Sequence, residues 1–181
     1  AVANDQFRAA LCSAIARLPE KATITPELRK AVEDHAREPK DSRNPNVQRI
    51  GAMDALGRIG NKGSLEVMRK FAQEGAVNNG LTGATIRAIG AIGARDKDAK
   101  PLAIEILVNS FPPATAADPK QQEFHTRMAR GVAETVHKQL KALTELSVEM
   151  PAEYNEGARK KLVEAYGKAL EKPKDKPRSK D

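Results

Sequence analysis

Gln48-Arg49-Ile50-Gly51-Ala52-Met53-Asp54-Ala55-Leu56-Gly57-Arg58-Ile59-Gly60 is the stretch that decides the fold. Val47, Ile50, Leu56 and Ile59 fall near one face at the 3.6-residue period, which predicts an amphipathic helix. The block then recurs. Ala55-Leu56-Gly57-Arg58-Ile59-Gly60 is echoed by Ala88-Ile89-Gly90-Ala91-Ile92-Gly93 at an offset of 33. Upstream, Arg8, Ala14 and Ile15 match Arg49, Ala55 and Leu56 at an offset of 41. Downstream the match weakens: at an offset of 81, Arg130 and Ala133 match Arg49 and Ala52, but Val136 and His137 face Ala55 and Leu56. The Pro- and Ala-rich insert from Phe111 to Asp118 explains part of that extra distance. Periods of this size mark stacked helical hairpins.

Helix punctuation divides the rest of the chain. Thr25-Pro26, Asn44-Pro45 and Asp118-Pro119 each set a capping residue before a proline at the first helical position, where the missing N–H costs nothing. Ser64 and Asp98 are further expected N-caps, and Gly60, Gly75 and Gly93 expected stops. Eight helices are predicted, at 5–18, 26–37, 45–60, 64–74, 80–93, 98–110, 119–148 and 152–171. Leu65, Met68 and Phe71 share a face of the fourth. Phe124, Met128, Val132, Val136 and Leu140 form an i, i+4 stripe on the seventh, and Leu162, Val163, Tyr166 and Leu170 supply the last. Alternating β-branched runs are absent, so no sheet is expected.

The block from Gln48 to Gly60 resembles the first helix of short bacterial HEAT repeats, the kind also found in phycobilin lyases. The family pattern is roughly Val-Arg-x-x-Ala-x-x-Ala-Leu-Gly-x-Ile-Gly. Gln48 departs from it, and the second copy carries Thr82 at the Arg position and Thr85 at an Ala position. The resemblance covers residues 5–171 and implies an all-α fold, a right-handed α-α superhelix (α-solenoid) of about four HEAT-like helical hairpins. In that reading Ala52, Leu56, Gly57, Gly60, Gly90 and Gly93 let one hairpin lie closely on the next. A single hairpin cannot bury its own apolar face, so several must stack. The resemblance also implies that Arg49 and Arg130 are structural, pairing with carboxylates or helix ends between repeats.

Composition agrees with a helical chain of small side chains. Apolar residues make up 40% but aromatics 3%, with no Trp, so the core falls to Ala, Leu, Ile, Val and Met. The net charge is +7, of which Lys172 to Asp181 contribute +3. This Lys- and Pro-rich tail, residues 172–181, has no large apolar side chain and is expected to be disordered unless bound. The remaining +4 permits contact with nucleic acid or with acidic protein surfaces but demands neither. No apolar run reaches the roughly 18 residues of a membrane span. The compartment stays open: the start Ala-Val-Ala-Asn-Asp, without an initiator Met, fits an exported, periplasmic chain after signal removal as well as a trimmed cytoplasmic one.

The search for chemistry returns little. Single Cys12 excludes an internal disulfide and multi-Cys metal sites, and beside Leu11 and Ile15 it reads as a buried thiol. His125 and His137 lie too far apart on one helix to chelate one ion. Glu134-x-x-His137 has the spacing of half a di-iron site, but no second copy exists, so His137 reads as a solvated helical histidine. HEAT-type hydroxylases carry His-Glu pairs, and this chain has no His-Glu dipeptide. Phosphate loops, dinucleotide fingerprints and serine elbows are absent. No cofactor and no catalytic residue is therefore assigned.

HEAT-like DNA glycosylases grip duplex backbone with a basic surface, and Arg69, Lys70, Lys100, Arg127, Lys138, Lys141, Lys160 and Lys161 raise that reading here. Glu66, Glu105, Glu134, Glu145, Glu156 and Glu164 on the same helices make the pattern one of mixed sign instead, which is the mark of a solvated face. The leading expectation is a non-catalytic protein–protein interaction scaffold, an accessory subunit of a larger complex. Its second helices, near 26–37, 64–74, 98–110 and 152–171, would line the binding surface. Arg69, Lys70, Lys100, Lys160 and Lys161 are the candidate contacts there. A nucleic-acid binder is the alternative, and a chromophore-lyase subunit a further one by resemblance alone.

Overall fold

The computed structural model describes residues 2–19, 22–39, 44–74 and 79–170. Among them the chain is all-helical, with eight α-helices packed together: α1 (Val2–Ala16), α2 (Pro26–Arg37), α3 (Pro45–Ile59), α4 (Lys62–Gln73), α5 (Asn79–Arg95), α6 (Lys100–Val108), α7 (Gln122–Thr144) and α8 (Glu156–Gly167). Short 3-10 turns at Pro119–Gln121 and Lys168–Leu170 precede α7 and follow α8. The expected stop at Gly75 and the tail 172–181 lie outside the described residues.

Local chemistry sets most of the boundaries. Thr25 Oγ1 accepts from the Leu28 N–H at 3.2 Å, with Pro26 behind it, and starts α2. Pro45 opens α3 as expected, but the Asn44 side chain makes no capping hydrogen bond to the first turn. Two expected caps are displaced. α4 begins one turn earlier than Ser64, because Asn61 accepts from the Ser64 N–H while Ser64 Oγ accepts from the Asn61 N–H, a reciprocal capping box. Asp98 does not cap α6: Asp96 accepts from the N–H groups of Asp98 and Ala99, and the helix opens at Lys100. Gly60 ends α3 as expected, but α5 runs through Gly93 to Arg95. The reason is packing: a Cβ on Gly93 would stand 2.7 Å from Ala103 Cβ, so this glycine marks the crossing of α5 and α6.

The long helix expected at 119–148 is shorter. It ends at Thr144, where Glu145 takes a left-handed conformation with φ 59°, and residues 145–155 cross over without helical structure before α8. Asn155 then caps α8 by accepting from the Ala158 N–H at 2.9 Å, four residues later than the expected start.

Helices contact one another in a repeating way. α3 lies against α1, and α5 against both α3 and α7. Neighbours run in the same direction. Gly51 meets Cys12 and Arg58 reaches Leu18; Gly57 meets Ala88 and Gly60 meets Ile92; Gly90 meets Gln139 and Gly93 meets Leu143. α4 likewise touches α2 and α6. Its Ser64 donates to Glu33 Oε1 at 2.6 Å, and its Arg69 donates to Glu105 Oε1 at 2.9 Å. α5 is the centre, packed on α3, α4, α6 and α7. Leu81, Ala84, Ile86, Ala88, Ile89 and Ile92 are buried, and so are Thr82 and Thr85, the two positions that depart from the repeat pattern. Thr85 satisfies its hydroxyl by donating to the Leu81 carbonyl one turn back, at 2.8 Å.

Arginines fasten the helix ends. The last carbonyls of a helix have no partner within it and carry a partial negative charge. Arg29 donates to the Ile59 carbonyl at 2.9 Å, and Arg95 to the Gly57 and Gly60 carbonyls at 3.0 and 2.7 Å, so two other helices close the end of α3. Arg49 does the same for α2 through the Ala36 and Arg37 carbonyls and also lies over the Phe71 ring. Arg130 pairs with Glu134 and donates to the Ala152 carbonyl before α8.

The insert at 111–118 is built in rather than free. Phe111 is buried, and its carbonyl accepts from Arg159 at 3.0 Å. The Pro112 carbonyl accepts from the Tyr154 hydroxyl at 2.6 Å, the Pro113 carbonyl from His125, and the Ala114 carbonyl from the Gln122 amide. Gln122 accepts in turn from the Ala116 N–H. Phe111 stacks on Tyr166, whose hydroxyl stands 3.0 Å from His137 Nδ1. His137 is therefore half-buried against Tyr166, not solvated as expected.

Candidate functional site

Two surfaces gather charged side chains, one expected from the sequence and one not. The expected surface spans α4, α6 and α8, where α6 touches both of the others. Arg69 is half-buried and lies between Glu66 and Glu105, with Nε 3.1 Å from Glu66 Oε2 and Nη1 2.9 Å from Glu105 Oε1. The Glu105 bond first, then the Glu66 bond, raises the guanidinium pKa further. Lys70 is exposed beside it, Lys100 is partly covered at the start of α6, and Lys160 and Lys161 are exposed on α8. The five residues are thus spread over three helices, with Arg69 fixed as the tie between two of them.

Carboxylates stand beside several arginines and one lysine on and near these helices. Beside the Arg69 pairs, Glu134 accepts from Arg130 at 2.8 Å, Glu156 from Arg159 at 2.7 Å, and Glu164 lies 4.0 Å from Lys168. The Arg159 bond holds the Glu156 carboxyl below the ordinary carboxylate range. Five of the six glutamates that the sequence sets against a basic stripe stand beside a cation. Such exposed pairs add little stability each. Their effect here is on the field: they set negative charge beside Arg69, Arg130, Arg159 and Lys168 and make the surface one of mixed sign.

The second surface is a shallow trough of about 760 Å³ over α3 and α5, lined by Asp54, Gly57, Arg58, Arg87, Ala91 and Arg95, with Ala16, Ala88 and Ala94 completing the floor. Arg87, Ala91, Ala94 and Arg95 form the solvent-facing strip of the otherwise enclosed α5. Arg58 is held in position by donating to the Leu18 carbonyl, and Arg95 by its bonds to Gly57 and Gly60. None of its residues is among the expected contacts. Its signal was available: between Leu81 and Arg95 the only charged residues are Arg87 and Arg95, eight apart and therefore on one helical face.

A further concavity of about 620 Å³ separates α1 from α2, lined by Phe7, Leu11, Cys12, Val32 and His35 among others, with Phe7 66% exposed. Cys12 is buried, and burial pushes its thiol pKa up, away from nucleophilic reactivity. Glu134 and His137 do not converge, since one bonds Arg130 and the other Tyr166. Among the described residues no group of three or more His, Cys, Asp or Glu side chains is arranged to hold a metal ion, and no helix is long and apolar enough to cross a membrane.

No family model matches the chain, and no curated protein or solved structure does so either.

Proposed function

We propose that the chain is a non-catalytic protein-interaction scaffold, an α-solenoid of HEAT-like helical hairpins that serves as an accessory subunit of a larger assembly. The observation that carries the reading is the pairing of charge on the α4, α6 and α8 side. A surface that grips nucleic acid presents a clustered basic stripe toward phosphates. Here Glu66, Glu105, Glu156 and Glu164 sit among the cations. A partner that offers both charge signs, as a protein does, complements such a face better than a phosphate backbone. The successive same-direction contacts of α1, α3, α5 and α7 support the solenoid part of the reading, because stacked repeats contact only their neighbours. In this reading Lys70, Lys100, Lys160 and Lys161 contact the partner, and Arg69 holds α4 and α6 in register.

The test is an affinity pull-down from native extract with and without nuclease, using the full chain and a Lys70→Glu/Lys161→Glu variant. A stoichiometric protein that survives nuclease and is lost from the variant supports the proposal. Nucleic acid as the sole recovered species, removed by nuclease and by moderate salt, overturns it.

A further inference from the structure

We propose that the outward face of α1 binds the same face of a second copy of this chain, antiparallel across a two-fold axis. Phe7, Ala10, Leu11 and Ala14 are all exposed, Phe7 at 66% and Leu11 at 36%. They recur at i, i+3, i+4 and i+7 and so form one stripe. Cys12 and Ile15, on the other side of the helix, are buried. α1 is thus apolar on two sides, one packed and one bare. The repeat shows what the bare face does elsewhere. At the offset of 41, Leu11 and Ala14 correspond to Ala52 and Ala55, and 33 residues further on to Thr85 and Ala88. All four of those are buried, none more than 3% exposed. Ala88 is covered by the helix before it: a Cβ on Gly57 would stand 3.1 Å from Ala88 Cα. The inference goes beyond the scaffold reading and does not use its surface on α4, α6 and α8.

A second copy could meet this stripe head to tail or face to face. Head-to-tail stacking would need α7 to receive α1 as α3 receives α5. Gly57 and Gly60 meet Ala88 and Ile92, and Gly90 and Gly93 meet Gln139 and Leu143. At the offset of 81 the matching positions on α7 are Lys138 and Lys141, both exposed. Two lysines stand where small residues admit a neighbour, which closes that end. Face to face, the stripe complements itself. Turned about an axis between Ala10 and Leu11, Phe7 of one copy comes opposite Ala14 of the other, and Ala10 opposite Leu11. Every large side chain meets a small one, as close packing of two helices requires. Two-fold symmetry makes each such contact twice. The concavity of about 620 Å³ between α1 and α2 continues the apolar face with Ala31 and Val32, while Arg8, Asp34, Arg37 and Glu38 form its polar edge. A face of this extent makes a weak dimer, with a Kd on the order of 1–100 µM.

The experiment is sedimentation velocity of the purified full chain from about 1 to 300 µM. The variants are Phe7→Ala, Ala14→Phe, the double exchange Phe7→Ala/Ala14→Phe, and Phe124→Glu as a control at an exposed aromatic residue on α7. Circular dichroism checks that each is folded, and Leu11→Gln, which adds no bulk, carries the test if Ala14→Phe is not. The expected result is a reversible monomer–dimer equilibrium. Phe7→Ala, Ala14→Phe and Leu11→Gln should each raise Kd at least about fivefold, the first by removing a large side chain and the second by setting two large ones opposite each other. The double exchange restores the large–small order and should return Kd to within about threefold of wild type, and Phe124→Glu should leave it unchanged. A chain that stays monomeric throughout overturns the inference. So does a dimer that Ala14→Phe strengthens, that the double exchange fails to restore, or that Phe124→Glu dissolves. Failure here leaves the pull-down untouched, because sedimentation reads the purified chain alone.

Discussion

Arg95 spans the end of α3, donating to the Gly57 carbonyl at 3.0 Å and to the Gly60 carbonyl at 2.7 Å. The two residues are 38 and 35 positions away, so this contact exists only once α5 has packed on α3. Replacing Arg95 with Met keeps the aliphatic stem and removes both charge-assisted bonds. Thermal unfolding of Arg95→Met should show a loss of about 1 kcal/mol, since the site is partly solvated and water can replace part of the interaction. An unchanged Tm would show that the helix end is served as well by water.

Gly57 and Gly131 make a matched pair. A Cβ on Gly57 would stand 3.1 Å from Ala88 Cα, a backbone atom that cannot yield without separating α3 from α5. A Cβ on Gly131 would meet nothing within 4 Å. Both sit inside helices, where Ala is favoured over Gly by up to about 1 kcal/mol. Chemical denaturation should therefore find Gly131→Ala stabilised by roughly that amount. Gly57→Ala should lose about 1–3 kcal/mol from overpacking, reduced by the same propensity gain.

Glu145 holds φ at 59°, the single positive-φ residue other than glycine among the described residues. That region costs a side-chain-bearing residue roughly 1–2 kcal/mol. Glycine is the usual occupant of this position past a helix end. Glu145→Gly should raise the urea midpoint by an amount equivalent to about 0.5–1 kcal/mol, because the greater freedom of glycine in the unfolded chain offsets part of the relief. A fall in the midpoint would mean that the carboxylate contributes something the geometry does not reveal.

The His137–Tyr166 contact gives stability a pH dependence with a definite sign. Burial first, and the positive charge of Lys141 second, lower the folded pKa of His137 below its ordinary value, and burial pushes Tyr166 up to about 12. Unfolding thus takes up a proton. The stability tied to neutral His137 is fully present above the unfolded histidine range and is lost as pH falls through it. Wild type should lose stability relative to His137→Gln between pH 7.5 and pH 5, by less than the roughly 1.4 kcal/mol per pH unit of one fully linked proton. Parallel curves for the two chains would rule out this linkage.

Tyr154→Phe tests the fastening of the insert. The Tyr154 hydroxyl is the donor to the Pro112 carbonyl, and burial, the largest influence, raises its pKa. Removing it leaves a buried acceptor without that partner, at a cost of about 1–3 kcal/mol. Equilibrium denaturation measures it directly, and a change below about 0.5 kcal/mol would show that the insert is held by its other bonds.

Local signals were read well and distant ones poorly, for physical reasons visible in particular residues. Thr25-Pro26 names its own helix start because cap and proline act within one turn. Asn61 and Asp96 cap where Ser64 and Asp98 are expected to, because several acceptor side chains crowd each start and backbone geometry chooses between them. Gly93 has the sequence signature of a stop, since sequence does not separate a glycine that ends a helix from one that admits a neighbour. The break after Thr144 was hidden because Glu145 carries no turn signal, and Val148 and Met150 prolong the apolar pattern. At the trough, each charge was visible singly. What remained invisible was that Arg58 and Arg95, 37 residues apart in sequence, line one cavity with Arg87.

The insert between α6 and α7 carries a consequence for how the molecule comes apart. Its carbonyls are held by Tyr154 and Arg159, residues 42 and 48 positions further along, as well as by His125 and Gln122. A proline-rich connection of this kind would ordinarily be the place where a protease nicks first. Here the bonds of Phe111 and Pro112 tie the first half of the insert to α8 and to the segment before it, while Thr115, Ala117 and Asp118 are exposed. Cleavage between Phe111 and Ala114 should therefore time the release of those long-range bonds, whereas cleavage after Thr115 would time only local motion, so the position of the first nick tells the two apart.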